Sequence, residues 1–261
     1  MTARSDEFPG GVGSDIHAPR PPASKECRER HVQVARVKLL LTSAGVTNPS
    51  IRDALADLLG KPIAEANALC IPTATYAMGG PPSAWRFITG QTPLPMCGLG
   101  WSSLGVLELT ALPSAGEERW LPWVREADVI LAGGGDATYL SHWIRQSGLA
   151  DVVPSLRDTV WAGLSAGSMA LTPRIGAQFV EWESAPDDRT LGIVDFSIFP
   201  HLGMEPDNTM ACAERWAVEI AGPAYAIDDQ TAITVTDGAV EVVSEGQWRH
   251  FPVQTSSAGR R

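Results

Sequence analysis

The stretch Val160-Trp161-Ala162-Gly163-Leu164-Ser165-Ala166-Gly167-Ser168-Met169 restricts the fold of this chain more than any other. A short apolar run enters Gly-x-Ser-x-Gly and leaves as a helix. So abrupt a strand-to-helix turn brings backbone against backbone and leaves room only for small residues, and Gly163, Ala166 and Gly167 are small. A serine at such an apex presents its hydroxyl outward, the geometry of a nucleophile elbow. The same pattern also suits a structural βα turn in which Ser165 caps the helix. The rest of the chain decides between the two.

Order is predicted to begin with a strand at 37–42, followed by a helix opened by Asn48-Pro49-Ser50 with Ile51, Leu55, Leu58 and Leu59 on one face. Further strands are predicted at 68–74, 106–110, 129–132 and 159–163, with a helix at 120–126 and another carrying Tyr139, Leu140, Trp143 and Ile144. The segment 76–104, rich in Gly, Pro and Trp, reads as a long loop with one helix, suited to form the wall of a site. Strands alternating with helices imply an α/β fold whose mostly parallel sheet carries helices on both faces. The last third adds a strand-like run, 196–201, a helix at 209–220, and a β-meander over 225–229, 232–235 and 240–243. Its closing β-hairpin turns at Asp237-Gly238.

Net charge −10 argues against nucleic acid or an anionic membrane as partner, because both need clustered Lys and Arg. Cys27, Cys70, Cys97 and Cys212 are scattered, with no CxxC pair and no metal-ligand spacing. They read as reduced thiols of a cytoplasmic protein. Residues 1–34 lack apolar periodicity and the apolar core of a signal peptide, so they are expected to form a disordered tail. Residues 35–254 are expected to form one α/β domain and 255–261 a flexible end.

A serine nucleophile needs a base, a group that orients the base, and N–H donors for the oxyanion. Of five histidines, His17 and His31 fall in the tail and His250 near the C-terminus. His142 falls within a predicted helix, whereas His201 closes a strand downstream of the elbow and can reach the same sheet edge. Parallel sheets build their sites beyond the carboxyl ends of the strands. The turn Gly133-Gly134-Gly135 therefore falls beside Ser165, where its N–H groups, with that of Ala166, suit an oxyanion hole. A phosphate loop would need Gly-Lys-Ser/Thr, and Asp136 would repel an anion. The orienting acid is left open among Glu181, Glu183, Asp228 and Asp229, each of which also suits a solvated surface.

Four motifs occur in one order: Gly133-Gly134-Gly135-Asp136, Gly163-Leu164-Ser165-Ala166-Gly167, Phe199-Pro200-His201 and Ile227-Asp228-Asp229-Gln230-Thr231-Ala232-Ile233. In these the chain resembles the peptidase E (dipeptidase E) and cyanophycinase family of serine peptidases over about residues 36–250. The resemblance implies a flavodoxin-like sheet related to class I glutamine amidotransferases. It implies Ser165 as nucleophile, His201 as base and oxyanion donors from Gly134, Gly135 and Ala166. It further implies hydrolysis of short peptides through an acyl-enzyme, in peptidase E beside an N-terminal aspartate, with no metal or cofactor.

Two departures stand out. Gln178 falls on or beside the family's acid position, leaving Glu181, Gln178 itself or Asp229 as third member. No arginine follows His201 closely; Arg215 is the nearest, and it joins Asp136 as a candidate for substrate contact. Two alternatives therefore stand beside the peptidase: a fold relative without the acid that binds a small molecule or a partner, and an esterase or isopeptidase acting from the same site.

Overall fold

Leu39, Leu40 and Leu41 form an uninterrupted apolar run, and all three are buried, as a strand covered on both faces requires. In the computed structural model, which describes residues 37–204, 206 and 208–253, alternate residues of this strand enter two different cores. Leu39, Leu41, Ile130 and Trp161 pack on one face, and Leu40, Val129, Leu131, Val160 and Ala162 on the other. The predicted tail 1–34 and the predicted flexible end 255–261 lie outside the described residues.

Among the described residues the main sheet has seven strands: β1 (Lys38–Thr42), β2 (Asn67–Ile71), β3 (Ser103–Val106), β4 (Val129–Ala132), β5 (Val160–Leu164), β8 (Thr231–Thr236) and β9 (Ala239–Ser244). Their order is β3-β2-β4-β5-β1-β8-β9. The first five run parallel, and the β8–β9 hairpin closes the sheet antiparallel to β1. A second sheet, ordered β10-β7-β6, joins β6 (Ser197–Phe199), β7 (Ala224–Ile227) and β10 (Trp248–Phe251). The longer helices are α1 (Pro49–Leu59), α2 (Thr73–Ile88), α4 (Glu117–Glu126), α5 (Ala137–Gln146) and α8 (Met210–Ile220); α3 (Leu112–Ala115), α6 (Leu149–Val152) and α7 (Ala166–Met169) are single turns.

The local chemistry explains the ends. The Asn48 side chain accepts from the Ile51 N–H at 2.9 Å and Pro49 takes the first helical position, so α1 starts there. Gly60 ends it with φ 69°. Ile51, Leu55 and Leu58 of α1 pack on one side of the sheet; Trp120 and Val124 of α4 and Leu140 and Ile144 of α5 pack on the other.

Three expectations needed correction. The third strand lies at 103–106, not 106–110: Leu107 still donates to the Cys70 carbonyl at 2.8 Å, but the chain then turns, and Leu107 and Leu109 are buried in the same core as Leu112 and Trp120. The helix within 76–104 begins earlier, at Thr73, and is broken at Gly80 (φ 65°) ahead of Pro81-Pro82. The predicted meander is divided between two sheets, since β7 pairs with β6 and β10 while β8 pairs with β1. That division sets the site, because the turn 228–230 has to cross from one sheet to the other.

Candidate active site

The elbow is built by close backbone contact. A Cβ at Gly163 would stand 2.6 Å from the Gly167 carbonyl group, and one at Gly167 would stand 2.2 Å from the Ala132 oxygen. Leu164 therefore runs directly into Ser165, held at φ 48° and ψ −107°. A non-glycine residue there costs about 1–3 kcal/mol, so its surroundings must enforce it. The end of β1 does so: the Thr42 carbonyl accepts from the Ser165 N–H at 3.0 Å and from Ser168 Oγ at 2.8 Å, and Thr42 Oγ1 donates to the Gly163 carbonyl at 2.7 Å.

His201 follows β6 by two residues, and Asp229 follows β7 by two. Because β6 and β7 are parallel, with Phe199 opposite Ala226, the two loop residues emerge side by side. The β1–β8 register sets Thr42 opposite Ala232, so the 228–230 turn lies over the end of β1. His201 is itself left-handed, with φ 55°.

The result is a linear array. His201 Nε2 lies 3.0 Å from Ser165 Oγ, and His201 Nδ1 lies 2.8 Å from Asp229 Oδ1. The ring and the carboxylate are only partly exposed, 30% and 18%, so the pair is weakly screened. Thr47 Oγ1 donates to the Asp229 carbonyl at 2.6 Å and fixes its backbone. A hydroxyl, an imidazole and a carboxylate in this sequence can draw a proton from the hydroxyl and stabilise the resulting imidazolium.

The Gly133–Gly135 turn follows β4, next to β5. A Cβ on Gly134 would stand 2.7 Å from Leu164 Cδ2 and 3.6 Å from Ser165 Cβ, and one on Gly135 would stand 2.1 Å from the Ala74 oxygen. Thr75 Oγ1 donates to the Gly134 carbonyl at 2.7 Å; across that trans peptide the Gly135 N–H projects the opposite way. Among the described residues, backbone bonds outside regular elements engage none of the N–H groups of Gly134, Gly135 and Ala166.

An open cavity of about 660 Å³ leads to Ser165 and His201. Gly134, Gly135, Met78, Phe87, Leu94, Met169 and Phe179 line it, and Arg86 and Glu181 bring opposite charges to its wall. The long segment after β2, expected as a wall, supplies Met78, Arg86, Phe87 and Leu94. Among the described residues no group of three His, Cys, Asp or Glu could hold a metal ion. Nor is any described helix long and apolar enough to cross a membrane.

Other residues singled out in the sequence are placed elsewhere. Gln178 is exposed on a one-turn helix, Ala177–Phe179, which turns Phe179 inward against the Phe199 ring at 5.4 Å and Gln178 outward. Glu181 lines the cavity, while Asp229 holds the position at Nδ1. Glu183 is exposed, and Asp228 accepts from Gln230 N and Thr231 Oγ1 within its own turn. The expectation that Asp136 contacts substrate needs correction: its buried carboxylate accepts from Thr138 Oγ1 and the Tyr139 N–H, both at 2.7 Å, capping α5. Arg215 is exposed on α8 against Cys212 Sγ and is not among the cavity's lining residues. His142 packs against Trp143 and Trp182 rather than at Ser165, its ring 5.4 Å and 5.0 Å from theirs.

Ser43 escaped the sequence reading altogether. It is fully buried at the end of β1, and its Oγ touches both His201 and Asp229. An isolated serine after an apolar strand carries no motif; its one sequence cue is a position at the carboxyl edge of the sheet.

The model of Peptidase family S51 matches residues 39–243. No curated protein matches the chain. Among solved structures, it is similar to a candidate peptidase E protein from Listeria monocytogenes EGD-e, at 17% identity and TM-score 0.60, covering 80% of this chain and 99% of that one. It is also similar to a peptidase from an acI-B1 Actinobacterium, at 19% identity and TM-score 0.61, covering 85% and 96%. At these identities the likeness concerns the fold.

Proposed function

The chain belongs to Peptidase family S51, a family of serine-type peptidases, and on that premise we propose that Ser165, His201 and Asp229 form its catalytic triad and that its substrates are short peptides. The observation that carries the reading is the unbroken array from Ser165 Oγ through both His201 nitrogens to Asp229 Oδ1.

In the proposed reaction, Ser165 Oγ attacks the scissile carbonyl carbon as His201 Nε2 takes its proton. Asp229 stabilises the imidazolium without taking the proton itself. The N–H groups of Gly134, Gly135 and Ala166 receive the oxyanion. Collapse breaks the C–N bond, His201 returns its proton to the leaving amine, and water, activated by the same imidazole, then hydrolyses the acyl-serine. A non-catalytic binding role would follow from loss of the acid; a carboxylate 2.8 Å from Nδ1 argues against that loss.

The cavity supports short substrates. Its walls are largely apolar, while Arg86 and Glu181 offer opposite charges for the carboxylate and ammonium ends of a small peptide. A preference for N-terminal aspartate would draw on Arg86, the arginine in the lining, rather than on Arg215. Free thiols at Cys70, Cys97 and Cys212 support a reducing, cytoplasmic setting.

The test is product release from a panel of Asp-Xaa dipeptides, apolar Xaa-Xaa dipeptides, a β-Asp-Arg dipeptide and a simple ester. Hydrolysis of at least one peptide, abolished by Ser165→Ala, is expected. Ester turnover alone would make this an esterase, and no turnover across the panel would overturn the reading. Arg86→Gln is expected to raise KM for Asp-Xaa selectively if the guanidinium receives the aspartate.

A further inference from the structure

We propose that Ser43 is a positioning residue for the His201–Asp229 pair, an inference that rests on the triad reading above. Among the described residues, every side-chain hydrogen bond of this buried serine goes to that pair. The His201 N–H donates to Ser43 Oγ at 2.7 Å, Ser43 Oγ lies 2.7 Å from Asp229 Oδ1, and it lies 3.2 Å from His201 Nδ1.

Proton bookkeeping fixes who donates. An ionised Asp229 only accepts, so the Ser43 hydroxyl proton points to Oδ1. Giving it to Nδ1 instead would leave an imidazole lone pair facing a carboxylate oxygen at 2.8 Å, a repulsive arrangement. With the Ser43 hydroxyl donating to Asp229 Oδ1, Nδ1 carries its own proton toward the same carboxylate. Nε2 is then left as the acceptor facing Ser165 Oγ, which is the tautomer that a general base needs. Ser43 thus acts through two groups at once. It orients the Asp229 carboxylate, and it gives an acceptor to the N–H of a histidine held at φ 55°, a backbone state that needs such an anchor.

Ser43 also adjoins Thr42, whose hydroxyl and carbonyl brace the elbow. The end of β1 thereby ties the nucleophile, the base and the acid to one rigid strand. Such a tie fixes distances that the loops after β6 and β7 would otherwise set separately.

The test measures how fast a fluorophosphonate labels Ser165 in the full chain, as a function of probe concentration. The endpoint counts folded sites; the maximal rate constant reads alignment, and the half-saturating concentration reads probe binding. Ser43→Ala and Ser43→Cys are compared with the unmodified protein; Cys keeps the shape at slightly larger size but is a poor hydrogen-bonding partner. Both variants are expected to reach the same endpoint with the maximal rate lowered roughly 10- to 100-fold and half-saturation unchanged, the loss expected for a hydrogen bond to a charged group. If Ser43→Ala fails to fold, Ser43→Cys decides alone. A Ser43→Cys protein labelled within threefold of the unmodified rate would overturn the proposal and make Ser43 a space-filling residue. Failure of the unmodified protein to label at all would instead strike the triad reading on which the proposal stands.

Discussion

Replacing Asp229 by Asn keeps the shape of the side chain and removes its charge, which isolates what the carboxylate does for His201. In the reaction a proton arrives on the imidazole, and a full ion pair forms where Nδ1 and Oδ1 are 2.8 Å apart. Both side chains keep some contact with solvent, at 30% and 18% exposure, so an effective dielectric near 20 is appropriate. Charge centres about 4 Å apart then attract by about 4 kcal/mol, or about three decades of rate. The amide adds a second penalty. An NH₂ group turned toward Nδ1 stabilises the tautomer with its proton on Nε2, which cannot accept from Ser165, and replacement of a triad acid in this way costs on the order of 10⁴ in rate. Asp229→Asn is therefore expected to lower kcat by about 10³- to 10⁴-fold on the best peptide of the panel, with KM nearly unchanged and the melting temperature within a few degrees. Steady-state kinetics on purified protein, with circular dichroism to confirm the fold, make the measurement. An Asp229→Asn variant with more than a tenth of the original kcat would refute the assignment of Asp229 and send the search for the acid back to the cavity wall.

Three further outcomes follow from the same contacts. Gln178→Ala is expected to leave kcat and stability within about twofold and about 0.5 kcal/mol, because Gln178 is exposed and Asp229 holds His201 Nδ1; a loss beyond tenfold would restore it as an orienting group. Gly167→Ala places a methyl 2.2 Å from the Ala132 oxygen and is expected to destabilise by about 3 kcal/mol or more, read as a drop of several degrees in melting temperature; an unchanged melting curve would contradict the packing of the elbow. At Asp128, burial pushes the carboxyl pKa up but is outweighed by the Asn67 N–H and by Lys61, 2.8 Å away, leaving it below its ordinary 3.8. Its contribution is therefore present above pH 3.8 and lost as pH falls through the folded value, so the stability gap between the unmodified protein and Asp128→Asn should narrow in acid; a gap that widens there would reverse the sign.

Ser165 and His201 were legible because their chemistry and their local pattern coincide: a small-residue turn around a serine, and a histidine closing an apolar run. Asp229 was legible only as one of several acids. Its contact with His201 depends on β6 and β7 pairing in parallel in a sheet of their own, and the apolar alternation of 224–235 is the same whether the strands share a sheet or not. The meander expectation failed for that reason. Gln178 drew attention because it falls on or beside the acid position of the family the chain resembles, but place in the chain could not show that Phe179 takes the inward position against Phe199. Asp136 shows a different ambiguity, since an Asp before a helix can face a ligand or cap the helix, and Tyr139 and Thr138 settle it as a cap. Ser43 carried no motif, only its place at the carboxyl edge of the sheet. Its contacts span 158 and 186 positions along the chain, and the β1–β8 register and the β6–β7 pairing together bring them about.

The central claim is that Ser165 is an activated nucleophile. Mass spectrometry of the intact protein after exposure to a fluorophosphonate, followed by peptide mapping, measures that directly. The expected result is one adduct per chain, on Ser165, absent from Ser165→Ala and strongly slowed in His201→Ala. No adduct under conditions that label a related active peptidase, or an adduct on another residue, would contradict it.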